Sequence, residues 1–315
     1  MRGDGILAQR TIETHGTDEG LQTMATHDAT IGLAMSATTA PPSTATRPAS
    51  GRSASIESTQ ASAHFEPDEW AARLQLAACY RIAAHLGWTE LIYNHITLRL
   101  PSRAGDARPH FLINPFGLHY SEVCASNLVR IDLDGRIVEN PGAPSQWPVN
   151  PAGFTVHAAI HEGIPDAHCV MHVHTTAGMA VACSRGGLSM SNFYAAQLHG
   201  KLAYHDFEGI TVHAGEGPRL VANIGDRPAV ILRNHGLLAW ADTVPRTLSV
   251  LWLLNRACEI QVASLAMGPT IPISEAVQVA CTRDALQFDP RFGAGQDVFD
   301  ALTRQVDRID PGWRE

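Results

Sequence analysis

The sequence has no run of about 18 consecutive apolar residues, the length at which a segment becomes a candidate membrane span. No apolar segment of the kind found in secretory signals follows Met1, so we expect a cytoplasmic protein. The six cysteines are scattered, without a Cys-x-x-Cys pair. That distribution is typical of a reduced compartment and argues against a disulfide scaffold.

Basic residues are also scarce, with 23 Lys and Arg against 31 Asp and Glu and a formal net charge of -8. Nucleic-acid binding generally requires a basic stripe, so we expect neither a nucleic-acid nor a membrane partner. There is no P-loop, and no Gly-x-Gly-x-x-Gly follows a predicted strand, which argues against a Rossmann fold. We expect a small-molecule substrate as the partner.

Three segments differ in composition. Residues 1–63 are predicted to form a disordered tail, because 19 of the 28 residues from Ser36 to Ala63 are Ser, Thr or Ala. Such a segment buries too little apolar surface to offset its conformational entropy. Residues 64–270 are predicted to form the main domain. Residues 271–315 form a C-terminal extension with one amphipathic helix over 297–309, where Phe299, Leu302, Val306 and Ile309 repeat at helical spacing.

Within the main domain, predicted helices and strands alternate. Pro67 suits the start of one helix and Gly87 its end, while Thr243 and Pro245 open a long apolar helix that stops by Gly268. Strands are predicted at 91–100, 110–114, 202–205, 209–213, 229–233 and 237–241, and Asp134-Gly135 predicts a type I′ hairpin turn. This mixture favours a layered α/β protein with a mainly antiparallel or mixed sheet.

The most informative strand runs through Cys169-Val-Met-His-Val-His174. Side chains alternate along a strand, so His172 and His174 project from the same face near its end. His235 lies at the end of another predicted strand, followed by Gly236, which we expect to allow a tight turn. Three imidazoles arranged in this way predict a site for one divalent metal ion.

Two further histidines lie on a predicted helix over 154–163. His157 and His161 are four residues apart and therefore share one face of that helix. This spacing is compatible with metal binding, but no glutamate lies between them, and we interpret His157 as a structural residue.

The chain from about Phe65 to Gly268 resembles the class II aldolase/adducin family. The resemblance rests on motifs in the same order and at similar long-range spacing: Asn94-His-Ile-Thr-Leu-Arg99, Ile113-Asn-Pro-Phe-Gly117, Leu128-Val-Arg-Ile-Asp-Leu-Asp-Gly135, His157, Pro165-Asp166, His172-Val-His174 and Asn234-His-Gly236. It implies a three-layer α/β/α sandwich around a central, mainly antiparallel sheet. It further implies a homo-oligomer, typically a tetramer, and a divalent metal on His172, His174 and His235, with zinc preferred and iron or manganese as alternatives.

The chain also departs from the family pattern. The resemblance implies a glutamate four residues before the helix histidine, serving as metal ligand and proton-transfer group, but that position is Gly153. Of the residues implied to hold a substrate phosphate, Asn94 is retained, whereas Pro151, Ala152 and Phe116 replace polar ones. A phosphate dianion needs several donors, so we expect Asn94, Phe116 and Gly117 to contact a non-phosphorylated substrate.

The base that replaces the glutamate is unknown from the sequence. Glu162, His161, Tyr194 and His199 are candidates because they are near the other motifs in the chain. Three functions stay open. The first is a metal-dependent lyase acting on a hydroxy-carbonyl or keto-acid substrate. The second is a non-heme iron oxygenase on the same fold, and the third is a non-catalytic, adducin-like assembly module, although adducins tend to lose the metal histidines.

Overall fold

A computed structural model of the protein describes residues 62–102, 108–138, 148–210, 214–285 and 289–315. Within these ranges the chain forms seven strands and eight α-helices. The strands are β1 Ile96–Arg99, β2 Phe111–Ile113, β3 Val129–Ile131, β4 Cys169–Val173, β5 Leu202–His205, β6 Ala229–Leu232 and β7 Gly236–Ala241. The helices are α1 Pro67–His85, α2 Pro151–Gly163, α3 Thr176–Cys183, α4 Phe193–Ala196, α5 Gly217–Ile224, α6 Val244–Leu265, α7 Glu275–Asp284 and α8 Gln296–Ile309.

The seven strands form one sheet in the order β3-β2-β1-β4-β7-β6-β5. Every neighbouring pair is antiparallel except β5 and β6, which are parallel. The prediction of a mainly antiparallel sheet is therefore confirmed. The central pair is β4 and β7, whose register sets His172 opposite Leu238 and Val173 opposite Leu237. The end of β4 and the start of β7 consequently lie side by side.

Helices cover both faces of the sheet, which confirms the predicted three-layer sandwich. Along β4, Cys169, Met171 and Val173 join the core under α1, α3 and α6, whereas Val170 joins the core under α2 and α5. This division follows directly from the alternation of side chains along a strand. A smaller apolar cluster lies where Phe154 of α2 covers β2 and β3.

Local signals define the ends of the principal helices. Helix α1 begins at Pro67, and Gly87 after its end has a left-handed φ of 72°. The Thr243 hydroxyl caps α6 by accepting a hydrogen bond from the Arg246 backbone N–H. These helix predictions are confirmed, and Cys258 on α6 is buried in the core.

A buried arginine joins α1 to the segment before β3. The guanidinium of Arg73 is fully buried and its Nη2 lies 2.8 Å from Glu69 Oε1. Its Nη1 donates to the carbonyl oxygens of Leu128 at 2.6 Å and Ala125 at 3.3 Å. Because a buried charge is costly unless it is paired and hydrogen-bonded, these partners hold the helix and the segment in one arrangement.

Three local predictions were wrong. The turn at Asp134-Gly135 is not type I′, because Gly135 (φ 76°) has a left-handed conformation and Asp134 does not; the turn closes through Gly135 N–H to Asp132 O at 3.0 Å. The predicted strand at 91–100 begins only at Ile96. Gly209 and Ile210 do not form a strand, while 211–213 lie outside the described residues.

The C-terminal segment packs on the main body. Phe299, Val306 and Trp313 are buried in the same core as α1 and α6, and the Trp313 carbonyl accepts a hydrogen bond from Ala125 N–H. Ile309, predicted to share the buried stripe of α8, is 64% exposed. The proposed boundary at residue 270 stays a prediction. The predicted tail over 1–63 lies outside the described residues except for its last two positions, and no helix of the described chain has the length and apolar content of a membrane span.

Candidate metal centre

Three imidazoles converge where β4 ends and β7 begins. His172 is in β4, His174 follows it directly, and His235 precedes β7. The Nε2 atom of His172 lies 2.6 Å from His174 Nε2 and 3.3 Å from His235 Nε2. One nitrogen from each ring falls within 4.8 Å of the others. The antiparallel pairing of β4 with β7 thus brings together residues that are separated by more than sixty positions in the sequence.

The orientation of His172 follows from its second ring nitrogen. His172 Nδ1 lies 2.8 Å from the Leu237 carbonyl oxygen, which only accepts, so the proton is on Nδ1 and Nε2 presents a lone pair. That lone pair faces the Nε2 atoms of His174 and His235. A backbone carbonyl that fixes the tautomer in this way is a common partner of metal-binding histidines.

Burial keeps the three rings neutral at neutral pH. Burial lowers the pKa of His172 well below its ordinary value, and neighbouring His235 and His174 lower it further. Burial, together with nearby His174, lowers the pKa of His235 to about 4. The pKa of His174 is lowered by burial, while nearby Glu90 acts in the opposite direction. Neutral imidazole is the form that coordinates metal ions.

The backbone on either side of His235 is specialised for this close approach. Asn234 has a left-handed φ of 56°, so Asn234 makes the tight turn. The prediction that Gly236 makes this turn is wrong. Gly236 is required for a different reason. A Cβ there would lie 2.6 Å from the Val173 carbonyl oxygen and 2.8 Å from His174 Cδ2. Only a residue without a side chain lets β7 pass this close to the histidines.

These residues fit a divalent metal ion. A tetrahedral zinc ion with Zn–N distances of about 2.0–2.1 Å separates its ligand nitrogens by roughly 3.3 Å. The His172–His235 separation of 3.3 Å already matches that value, and the His172–His174 pair at 2.6 Å must open slightly. Two facing Nε2 atoms at 2.6 Å, one of them unprotonated, need a proton or a cation between them. Three neutral imidazoles with an open side also leave room for a substrate.

The three histidines face a cavity of about 510 Å³. Its wall is formed by the residues before β1, by α2, and by the segment after β5. The described residues that line it are Glu90, Tyr93, Asn94, His95, Asn150, Gly153, Val156, His157, His172, His174, Met179, Phe207, Gly209, Ile210, Leu232, Asn234 and His235. This lining contains no Lys or Arg. The amide of Asn94 is buried, and within the described chain neither its nitrogen nor its oxygen has a hydrogen-bond partner.

His95 is a cavity residue that the sequence analysis did not single out, although it lies inside the Asn94–Arg99 motif. It is 5% exposed, and neither ring nitrogen meets a described partner with hydrogen-bond geometry. Its ring lies against that of His157, with centroids 4.2 Å apart. It also covers Gly153, where a Cβ would come within 2.3 Å of its Cε1 atom. In the sequence, the missing side chain at Gly153 indicates that another residue can occupy its space, but it does not identify His95 as that residue.

His157 and His161 share one polar partner, the Thr97 hydroxyl. His157 Nδ1 lies 2.8 Å and His161 Nε2 2.7 Å from Thr97 Oγ1, and His161 Nδ1 lies 2.6 Å from the Ala167 carbonyl oxygen. Because that carbonyl only accepts, His161 carries its proton on Nδ1 and accepts from Thr97, which in turn accepts from His157 Nδ1–H. This network supports a structural role for both residues and leaves His157 Nε2 unpaired.

The remaining predicted residues lie elsewhere. Phe116 and Gly117 are outside the described lining, although the Phe116 ring is 6.4 Å from that of Tyr93, which lines the cavity. Glu162 borders a different cavity on the outer side of α2, and Tyr194 packs on Trp252 at 5.6 Å.

His199, like Glu162 and Tyr194, is absent from the described lining, and its backbone carbonyl accepts a hydrogen bond from the Thr282 hydroxyl. The predicted roles of these residues therefore stay predictions. The side chains of Pro151 and Ala152 lie outside the described part of the chain.

Comparison with known proteins relates this chain to class II aldolases and adducins. The model of the class II aldolase and adducin N-terminal domain matches residues 74–262. A protein of Pseudomonas aeruginosa whose name assigns it to aldolase class 2 is 38% identical over 251 residues, covering 78% of this chain and 93% of that protein. Alpha-adducin of Rattus norvegicus is 40% identical over 257 residues, but this chain covers only 34% of its length.

Solved structures give the same result. An aldolase II superfamily protein from Pseudomonas syringae superposes with a TM-score of 0.73 at 37% identity, covering 80% of this chain and 98% of that one. L-fuculose 1-phosphate aldolase from Glaciozyma antarctica has a TM-score of 0.68 at 24% identity, covering 85% of this chain and 97% of that one. The second likeness concerns the fold alone.

Proposed function

The chain belongs to the class II aldolase and adducin N-terminal domain family, and we propose that it is a divalent-metal-dependent lyase of the aldolase type. The observation on which the proposal rests is the convergence of the His172, His174 and His235 imidazoles beside an open cavity. Zinc is the expected metal, and iron or manganese are the other candidates.

The protein residues have separable tasks in this proposal. A bound metal supplies a Lewis acid that polarises carbonyl and hydroxyl oxygens of the substrate. The Leu237 carbonyl holds His172 in the tautomer that exposes Nε2. The unpartnered amide of Asn94 offers one acceptor and two donors to a polar substrate group.

The lining of the cavity favours a substrate without a phosphate group. Tyr93, Met179, Phe207 and Ile210 contribute apolar surface, and the described lining has no basic side chain. A phosphate dianion is usually held by Arg, Lys or several N–H donors. We therefore propose a non-phosphorylated hydroxy-carbonyl compound or a 2-keto acid as the substrate class.

The metal proposal is tested by mass spectrometry of metal content in protein purified anaerobically without a chelating tag. About one equivalent of divalent metal per chain is expected in the wild type. His172→Ala should lose most of it while keeping the fold, measured by circular dichroism. His168→Ala is the matched control, because His168 lies four residues earlier on the same chain segment and is exposed. Full metal content in His172→Ala would contradict the three-histidine assignment.

Activity is tested by offering the metal-loaded protein pairs of substrates that differ only in a phosphate group. Turnover of the unphosphorylated member, by carbon–carbon cleavage or decarboxylation, is the expected result. A preference for the phosphorylated member would contradict the substrate assignment. Iron in near-stoichiometric amount with oxygen uptake would instead identify an oxygenase.

A second candidate, a non-catalytic assembly module, is supported by the 40% identity to alpha-adducin. Absence of metal from the wild type, together with intact oligomers, would favour it. We also propose a homotetramer in the cytoplasm. Helix α7 has no buried residue in the isolated chain, and its Val277 and Val279 are about half exposed, as expected of a surface that another subunit covers. Light scattering of the purified protein gives the mass directly.

A further inference from the structure

The space beside Gly153 is filled by the ring of His95. A Cβ built on Gly153 would lie 2.3 Å from Cε1, 2.4 Å from Nδ1 and 2.9 Å from Nε2 of His95. Non-bonded carbon atoms normally approach no closer than about 3.5 Å, so the imidazole occupies the position where a side chain at 153 would begin. Residues 95 and 153 are therefore alternatives for one volume of the cavity wall.

His95 is held in that volume without a well-formed hydrogen bond at either ring nitrogen. The residue is 5% exposed, and although the backbone of Tyr93 and of Gly153 lies close enough to act on its pKa, neither ring nitrogen meets a described partner with full hydrogen-bond geometry. A buried polar group without a partner costs free energy, and such groups are uncommon unless a ligand or water completes them. His95 lines the same cavity as the three metal-site histidines, so a ligand in that cavity can supply the missing partner.

The His95 ring is also packed against a second histidine ring. His157 packs on it at 4.2 Å between centroids, and His157 is fixed through the Thr97 hydroxyl to His161 and the Ala167 carbonyl. Neither Arg nor Lys is among the described residues of the cavity wall. His95 is thus a rigidly placed imidazole with its free nitrogens beside an open cavity, as required of a group that exchanges a proton with a bound molecule.

We propose that His95 is the catalytic proton-transfer residue of this site, acting from the position left open by Gly153. The inference rests on the proposed lyase function and specifies its base. A ring nitrogen of His95 takes the proton from the carbon next to the substrate carbonyl. The C–H bond breaks, its electron pair stays on the substrate as an enediolate, and the proton becomes the N–H of the imidazolium. Return of a proton to carbon restores the neutral ring.

The position of His95 is tested through thermal stability, independently of activity. Gly153→Ala should lower the melting temperature by about 5 °C, because the added methyl group overpacks the site. In a His95→Ala background the same substitution should have no cost or should raise the melting temperature, since alanine is the better helix former. Equal effects in the two backgrounds would overturn the inferred contact.

The chemical role is tested by hydrogen–deuterium exchange. Metal-loaded protein is incubated separately with dihydroxyacetone and with the 2-keto acid hydroxypyruvate in D₂O, and exchange of the carbon-bound hydrogens is followed by proton NMR. His95→Ala should slow exchange at least about 100-fold, in the range expected for removal of a general base. His85→Ala, at an exposed position near the end of α1, should leave it unchanged. His95→Ala with Gly153→Glu should restore part of the rate, because a carboxylate then has room to act.

The outcomes separate this inference from the proposed function. Absence of metal from the wild type, or absence of exchange with both probes, refutes the lyase proposal and with it the role of His95, even if the stability data show the predicted contact. Wild-type exchange that persists in a folded, metal-loaded His95→Ala protein leaves the lyase proposal standing and refutes the role of His95. Loss of exchange with normal metal content and partial rescue by the glutamate is the expected result.

Discussion

Gly236→Ala should damage the candidate metal centre without replacing any of its three histidines. The added Cβ would lie 2.6 Å from the Val173 carbonyl oxygen, 2.8 Å from His174 Cδ2 and 3.1 Å from His172 Cε1. Ordinary contact requires about 3.5 Å, so atoms must separate by roughly 0.4–0.9 Å. The carbonyl belongs to the central strand pair, where β4 and β7 are joined by continuous register, and it has little freedom to move.

The added Cβ should affect both the stability of the fold and the affinity for metal, through its contacts with the backbone and with the histidine rings. Overpacking of this size costs about 1–3 kcal/mol, which for a domain of this length lowers the melting temperature by about 3–10 °C. Ring displacement affects binding separately, because metal–ligand distances are held within about 0.2 Å. We expect metal affinity to fall about 10-fold or more, in the range seen when groups that orient metal ligands are changed.

The assay compares melting temperature and metal dissociation constant for Gly236→Ala and a control, Gly186→Ala. Gly186 has an unstrained φ, and a Cβ there meets no atom within 4 Å, so the control should resemble the wild type. If Gly236→Ala melted and bound metal as the control does, the close approach of β7 to the histidines would be refuted as the reason for glycine at this position.

Three other predictions concern stability. Burial lowers the pKa of His161 to about 3, so between about pH 6 and pH 3 the unfolded chain binds a proton that the folded chain excludes, and this residue alone should reduce stability by about 1.4 kcal/mol for each pH unit of acidification. In urea unfolding, His161→Gln should show a shallower pH dependence than the wild type, and an equal slope would refute the assignment. Arg73→Ala should cost about 2–3 kcal/mol, because the buried Glu69 carboxylate loses its 2.8 Å partner and keeps the Arg130 guanidinium at 3.4 Å, while the Leu128 carbonyl loses the donor at 2.6 Å; a loss below 1 kcal/mol in denaturant titration would contradict the buried pair. Deletion of residues 1–60 should leave the melting temperature unchanged, since their composition offers little to pack, and a fall of several degrees in calorimetry would refute the predicted tail.

Much of the fold was accessible from local patterns in the sequence. The alternation that places His172 and His174 on one face of β4 also explains why Cys169 and Met171 lie in one core and Val170 in the other, because a strand has only two faces. Proline and capping residues marked the starts of α1 and α6 for equally local reasons. Turn geometry was less accessible: Asp134-Gly135 suits two kinds of hairpin turn, and strand pairing beyond the turn decides between them.

The candidate bases show where sequence proximity misleads. Glu162 is close to His157 in the chain, but five residues rotate it roughly 140° around α2, away from the face that carries Gly153, His157 and His161. Helical geometry alone could have set it aside. His95 could not be found in this way, because its relation to Gly153 is a contact between segments 58 positions apart. One sequence records a missing side chain but not the neighbour that occupies its place.

The proposed use of His95 in place of a carboxylate also affects the charge of the site. Three neutral histidines and neutral His95, whose pKa burial lowers to about 4, would not compensate the charge of a divalent metal. Glu90 is the one carboxylate in the described lining of the cavity, and it lies on the side of His174. In a low-dielectric cavity an uncompensated dication attracts anions strongly. A substrate that brings its own carboxylate is therefore favoured over a neutral sugar, which makes a 2-keto acid the better choice within the proposed substrate class.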